Sequence, residues 1–455
     1  MYKGAGFGYN AGSSPRNKLY LVNNGRKMLA EIRPFRGTFY NRRIAGDEAM
    51  LVAPPYDIID PEKKKQLAKK SPYNIVHLIL PRNEGEGEFW KTSERLFGDW
   101  KRRSVLVPDA RPCFYAYRQT FQIPGCASTS RLGLLTALKC KDFATGEVMP
   151  HEKTFSRTRS ERLNLLRSCR ANFSQIFMAC RDDGREMMRV LARAAEGQAF
   201  LAFEDDEGAG HELWRIDDPE DMELLRLLLL EKRLIIADGH HRYETALAYS
   251  KESAGRPGEA SDYVSAVIYS SHDPGLVILP VHRVLKRLPV SSAEMLEKVQ
   301  PYFEARKITP GEASHGLCGL LRNGRRAEFI AVTAEAAFEL HLRDVELGNV
   351  IKGPESEDWK NLDISILHSL LLGGCLGLDA DRLAESGGLW FTPWEEVALE
   401  EVRGGRAEAA FLVRPTAIED IWRIAEGGER MPHKSSYFHP KLPSGLVIYD
   451  HANAF

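Results

Sequence analysis

Residues 233–246 read RLIIADGHHRYETA, a short apolar run that ends at Asp238 and gives way, past Gly239, to a helical spacing of apolar residues. The stretch 234–237 has the pattern of a short buried strand, and Tyr243, Ala246 and Leu247 suit the buried face of a helix. Asp-Gly-His-His-Arg therefore falls on a strand-to-helix junction. Similar alternations of strand and helix signals along the chain predict an α/β fold of mixed α+β character, with the strand order left open.

A helix start exposes backbone N–H groups that have no partner within the helix, and its dipole favours a negative charge. Gly239 lets a phosphate approach the backbone, and Arg242 can add a forked, charge-assisted contact. His240 and His241 supply donors or a group that titrates near neutrality. Asp238 can hold a histidine, bind a hydroxyl or help position Mg²⁺. In the plainer reading Asp238 caps the helix and the histidines fill surface and interface positions. Adjacent histidines lack the i, i+4 spacing that puts two imidazoles on one helical face, so no zinc site is assigned.

Working outward, LAEIRPFRG predicts a strand entering a turn, and APPYDIID (53–60) a Pro-stiffened loop before a helix near Pro61. SPYNIVHLILP predicts a strand over 75–80, and Trp90, Leu96, Phe97 and Trp100 predict an amphipathic helix over 86–103. Strands are expected over 113–123 and 131–140, with a strand pair bracketing 174–180 and 211–216. A helix over 219–233 should pack on the sheet, and further strands lie in YVSAVIYS and GLVILPVHRVL. Helices are expected near 292–304 and 364–372.

The chain has 455 residues, enough for two or three domains and a sizeable interior. Lys+Arg 62 against Asp+Glu 63 leaves a net charge of -1, so no global field draws nucleic acid or anionic lipid, and an anion site must be local. The longest apolar runs, 224–230 and 276–281, are far shorter than the roughly 20 residues of a membrane span. Seven cysteines without a C-x-x-C pair argue against structural zinc and a disulfide framework. A soluble cytoplasmic protein with mostly buried or inert thiols is expected, with no nucleic-acid or membrane partner. The first residues show no signal-peptide pattern and read as a flexible Gly-rich tail.

Two other stretches can complete a site, MPHEKTFSRTRSER (149–162) and GERMPHKSSYFHPKLPSG (428–445). Glu152, in a polar loop after Pro150 and His151, can accept a proton from a hydroxyl; a cap or surface ion pair is the alternative. Lys434, Ser435 and Ser436 offer one cation and two hydroxyls for phosphate or nucleotide contact. Arg33, Arg36 and Asp57 can line a cleft, although rigid turns explain the same residues. Arg157, Arg159 and Arg162 read as a solvated helix face and stay outside the assigned site.

IRPFRG, APPYDIID, SPYNIVHLILP, PHEKT, ADGHHRYETAL and GERMPHKSSYFHPKLPSGL, in this order, resemble the domain of unknown function 1015 family over nearly the whole chain from about Met28. PHE, DGHHR and the Pro-Lys-Ser-Ser segment are also similar, in order, to motifs of the ADP-dependent free-serine kinases of the ParB/sulfiredoxin-like nucleotide-binding group. That second resemblance implies Glu152 as the base that activates a serine hydroxyl. It places Asp238, Gly239, His240, His241 and Arg242 around the phosphates, with Asp238 and His240 catalytic. Lys434, Ser435 and Ser436 match a late segment that is richer in threonine and basic residues in those kinases. This chain also has an extra N-terminal region and a longer connection between Glu152 and DGHHR.

The expectation is a tail over 1–27, an N-terminal α/β region over 28–125 and a ParB/sulfiredoxin-like catalytic core over 126–290. A C-terminal α/β region over 291–455 returns a phosphate-site loop. The expected activity is a phosphotransferase on a small hydroxylated metabolite, interconverting L-serine and O-phosphoserine with ADP, ATP or CTP and with Mg²⁺ held mainly by phosphates. The alternatives are a phosphomonoester phosphatase and a non-catalytic nucleotide-responsive module.

Overall fold

The computed structural model describes residues 30–81, 88–152, 157–253, 259–309, 313 and 327–455. The expected tail over 1–27 lies outside these residues. Among them a nine-stranded mixed sheet runs in the order Val148–Met149, Leu234–Asp238, Ile176–Cys180, Tyr263–Ser270, Ser128–Lys139, Phe114–Gln122, Gly210–Ile216 and Leu201–Glu204. Ile32–Arg33 pairs onto Ser128–Lys139 as the ninth strand.

All eight residues of Tyr263–Ser270 are buried, Ser265 and Ser270 included, because both faces of the sheet are covered. Leu135, Ala137, Phe177, Val267 and Tyr269 face one core. Leu134, Leu138, Ile176, Met178 and Ile268 face the other, against helices Glu186–Ala194, Pro219–Leu229 and His240–Glu252. The switch of side at each residue is the period-two alternation of a pleated strand.

Leu234–Asp238 sits between two neighbours. It is antiparallel to Ile176–Cys180, with an irregular register between Ile236 and Asp238. It is parallel to Val148–Met149, Leu234 opposite Val148 and Ile235 opposite Met149. Parallel strands deliver their following residues to the same end of the sheet, so His151 and Glu152 emerge beside Asp238 and Gly239.

The second sheet among the described residues has six antiparallel strands, in the order Phe303–Ile308, Ala337–Leu342, Glu328–Thr333, Ala409–Leu412, His282–Leu285 and Leu389–Thr392. From Met431 onward the chain then stitches back across the molecule. Met431 bridges Glu152, Tyr437–His439 pairs with Val277–Leu279, Ser444 bridges Ala53, and Tyr449–Asp450 pairs with Ala171–Asn172.

Several elements differ from the sequence reading. Residues 75–80 are not a strand: Val76–Ile79 is a helical turn, its first N–H held by the Asn74 side chain at 2.9 Å. Ile75, Val76, Leu78 and Ile79 are all buried, so periodicity carried no signal. Ile176–Cys180 and Gly210–Ile216 are strands but not partners, being separated by three strands of the sheet. Position 125/126 falls in the turn between Phe114–Gln122 and Ser128–Lys139, which pair with each other, so residues on both sides of it build one sheet. Among the described residues five cysteines are free and buried, Cys113, Cys140, Cys169, Cys180 and Cys375, in line with mostly buried thiols, whereas Cys126 is disulfide-bonded, a departure from the reading against disulfides. No helix among the described residues is long and apolar enough to cross a membrane.

Candidate active site

The three motifs meet. A cleft of about 310 Å³ is lined by Glu152, by Asp238 through Arg242, by Lys434, Ser436 and Lys441, and by the aromatic side chains of Tyr56, Phe391, Trp394 and Tyr437. Asp57 also lines it. A neighbouring cavity of about 400 Å³ shares Ile58, Trp394, Tyr437 and Lys441 with it.

Gly239 forms the junction, with φ +91° and no side chain to cap the helix that starts at His240. A Cβ there would stand 2.9 Å from Nη2 of Arg242, so the guanidinium occupies the space a side chain would need. Arg242 donates from Nη2 to Asp238 Oδ2 at 2.7 Å and from Nη1 to the Gln175 carbonyl at 2.7 Å. Lys441 donates to Asp238 Oδ1. Burial raises the affinity of the Asp238 carboxyl for a proton, but Lys441 and then Arg242 outweigh it and hold the group well below the usual range. Asp238 is thus ionised and both its oxygens are engaged by cations. With Arg242 and Lys441 it leaves one net positive charge at the helix start.

His240 is buried, and its Nε2 accepts the His151 backbone N–H at 3.4 Å. Desolvation, and next the neighbouring His151, keep its pKa well below 6.5, so the ring is neutral. His151 is fully buried beside it, ring centroids 4.8 Å apart. Its Nδ1 lies 2.7 Å from the Ile236 carbonyl, which can only accept, so Nδ1 carries the proton. Nε2 then presents its lone pair to Ser436 Oγ at 2.8 Å. Glu152 Oε1 lies 3.3 Å from the same Oγ and 3.4 Å from the Ser436 N–H.

The C-terminal loop is held at both ends by buried arginines. Arg283, from the second sheet, donates to the carbonyls of His433 at 3.3 Å and Lys434 at 3.0 Å. Arg131, from the first sheet, donates to the His439 carbonyl at 2.9 Å and to that of Pro440. Lys434, Ser436, Tyr437 and Lys441 all lie between or beside these clamps.

Ser435 does not join the site: its Oγ donates to the Pro432 carbonyl at 2.5 Å, its own carbonyl accepts from Thr416, and it lies outside the cleft lining. Arg33 and Arg36 are also elsewhere. Arg33 stacks on Phe455 at 3.9 Å and Arg36 donates to the Asp109 carbonyl. Strand Ile32–Arg33 adds onto Ser128–Lys139, and Ile176–Cys180 and Tyr263–Ser270 stand between that strand and Leu234–Asp238, so IRPFRG is displaced sideways from the DGHHR turn. Arg162 is buried rather than solvated, 4.0 Å from the Tyr56 ring and bonded to the Ile79 carbonyl. Sequence reasoning passed over Lys441, although HPKLPSG places it among prolines like Lys434. It also passed over Trp394 and Phe391, which have no local signal because the second sheet delivers them.

The family described as protein of unknown function, DUF1015, has a model that matches residues 32–365. The chain belongs to the DUF1015 family. Solved structures similar to this DUF1015 chain include a free serine kinase in complex with AMP, at 14% identity and TM-score 0.33, covering 69% of this chain and 90% of that chain. A conserved hypothetical protein from Pyrococcus furiosus has 14% identity and TM-score 0.33, covering 68% of this chain and 93% of that chain. SbnI with a C-terminal truncation, from Staphylococcus aureus, has 11% identity and TM-score 0.31, covering 68% and 84%. No curated protein matches the chain. These identities are too low to transfer an activity.

Proposed function

We propose that this DUF1015 chain is a nucleotide-dependent phosphotransferase on a ParB/sulfiredoxin-like core, acting on a small hydroxylated metabolite with free L-serine the first substrate to test. The observation that carries the proposal is the convergence of Glu152 and the uncapped helix start at Gly239 on one cleft that also receives Lys434 and Lys441. The terminal phosphate of the nucleotide rests on the amides of His240 and His241, with Lys434 and Lys441 offsetting its charge. The nucleoside extends past Trp394 and Tyr437 into the neighbouring cavity. Glu152 takes the proton of the acceptor hydroxyl, and transfer depends mainly on positioning and charge stabilisation.

Asp238, with both oxygens engaged, is an anchor in this reading and not a metal ligand. Asp57 and Glu152 are the other carboxylates of the cleft, a set that fits Mg²⁺ arriving on phosphate oxygens better than Mg²⁺ caged by protein. When bound, Mg²⁺ neutralises phosphate charge. Glu328, Glu339 and His341, the group among the described residues close enough to share a metal, lie in the second sheet and outside the cleft.

The test is to incubate the full chain and Mg²⁺ with serine plus ADP, ATP or CTP, and with O-phosphoserine with and without AMP or ADP. Serine, O-phosphoserine, nucleotides and free phosphate are followed by mass spectrometry. Nucleotide-dependent interconversion supports the proposal. Phosphate release without nucleotide selects a phosphatase, and no turnover with any of them leaves a nucleotide-binding module.

A further inference from the structure

We propose that Ser436 is a nucleophile in this cleft, activated by His151, and that it accepts the phosphoryl group covalently before the final acceptor does. The identity of the donor rests on the phosphotransferase reading; the nucleophile rests on geometry alone. Three features coincide at Ser436. It lines the cleft, whereas His151 stands fully buried behind it. Its Oγ is 2.8 Å from the imidazole Nε2. The other imidazole nitrogen is fixed at 2.7 Å on the Ile236 carbonyl, which orients the ring and sets the tautomer that leaves Nε2 free to take a proton.

A nucleophile, a base within hydrogen-bond reach and a third group orienting the base are the parts of an activated serine. Here a backbone carbonyl does the orienting that a carboxylate does in the Ser-His-Asp arrangement. A purely structural Ser-His pair has no need to face a cleft that also holds Lys434 and the start of the helix at His240. Burial keeps His151 neutral, the state a base requires.

The chemistry balances in two halves. In the first, a bond forms from Ser436 Oγ to the terminal phosphorus as the bond to the bridging oxygen breaks. The electron pair leaves with the shortened nucleotide, and the serine proton passes to His151 Nε2. In the second, the hydroxyl oxygen of the acceptor bonds to phosphorus as the Oγ–P bond breaks; Glu152 takes the acceptor's proton and His151 returns its own to Oγ. Glu152 Oε1, 3.3 Å from Oγ, stands where the second proton is released.

The full chain is treated with an alkyl fluorophosphonate, which reads serine nucleophilicity without any nucleotide. Separately it is treated with Mg²⁺ and ATP or ADP labelled at the terminal phosphate, then quenched in acid and digested. Both labels are expected on the peptide containing Ser436, absent from S436A, and H151N is expected to slow fluorophosphonate labelling at least about a hundredfold. The wild-type peptide map decides the matter even where H151N does not fold. An unlabelled Ser436 with both reagents overturns the proposal. Phosphoryl transfer to serine that proceeds undiminished in S436A overturns the covalent step and leaves the phosphotransferase reading standing. A fluorophosphonate adduct on Ser436 without nucleotide-dependent turnover keeps the nucleophile and removes the kinase.

Discussion

Lys441 and Asp238, 203 positions apart in sequence, form an ion pair that closes the C-terminal loop onto the DGHHR turn. Both side chains are nearly buried, 13% and 14% exposed, and Arg242 shares the carboxylate from the other side. The pair fixes where the loop carrying Lys434 and Ser436 lands.

Removing one partner of a buried pair leaves the other charge uncompensated, at a cost of about 3 to 5 kcal/mol. Asp238→Asn leaves two cations facing each other and is expected to lower urea stability by about 3 kcal/mol. Lys441→Met leaves Asp238 with Arg242 and is expected to cost less, while weakening nucleotide binding at least about tenfold. Equal stability of both variants with the wild type, in urea melts at pH 7, would show that the pair is only incidental.

Gly239→Ala tests the junction. With φ at +91° an L side chain is strained by about 1 to 2 kcal/mol, and the new Cβ would displace the Arg242 guanidinium from its place over the turn. A loss of about 2 kcal/mol or more and weaker phosphate binding, read by calorimetry, are the expected results. A variant that binds phosphate as the wild type does would place the anion elsewhere in the cleft.

The sequence made the DGHHR junction legible because strand and helix patterns abut there, and PHE because its acid follows a proline in a polar loop. What it could not supply was the register. That His151 and Glu152 stand beside Asp238 follows from Val148–Met149 pairing parallel to Leu234–Asp238, a relation between segments that no local pattern encodes. The same holds for Arg283, whose partners lie about 150 positions away. Residues 75–80 were misread for a different reason: a segment buried on nearly every side has no periodicity to read. Arg33 and Arg36 looked site-like because Arg, Pro and Gly crowd one turn, but density of polar residues says nothing about which strand of a sheet they join.

Arg283→Met removes the donors that hold the His433 and Lys434 carbonyls. Both carbonyls are only partly buried, so the cost stays at the low end of the about 1 to 3 kcal/mol for an unsatisfied buried group, and the loop bearing Lys434 loses one anchor. Nucleotide KM should rise at least about tenfold with kcat changed far less. A fall in kcat at constant KM would instead mean that Arg283 acts on the transferring group.

Glu152→Gln keeps the shape and the Ser436 contacts but cannot accept a proton. Turnover with serine should drop at least about a hundredfold, with nucleotide affinity within about twofold of wild type. Unchanged turnover would remove Glu152 from the reaction and leave it as a brace for Ser436.

Acid should unfold this protein early, through its buried imidazoles. Desolvation lowers the pKa of His151 and of His240, and pushes His282 down to about 3, below the 6.5 of a free imidazole. A group whose folded pKa is depressed binds fewer protons in the folded state, so its contribution is complete above the unfolded pKa and is lost as pH falls. For the histidines that loss begins near pH 6.5, at up to about 1.4 kcal/mol per pH unit for each. Asp238, depressed from the usual carboxylate value, adds its own loss only below about pH 4. Urea midpoints measured from pH 8 to 4 should therefore be flat down to about 7 and then fall steeply well before carboxylates titrate. His282, whose ring accepts the Val413 N–H and does not itself line the cleft, separates the causes: His282→Gln should flatten part of the slope between pH 6.5 and 5. A midpoint constant from pH 7.5 to 5 would mean that these rings take up protons in the folded state.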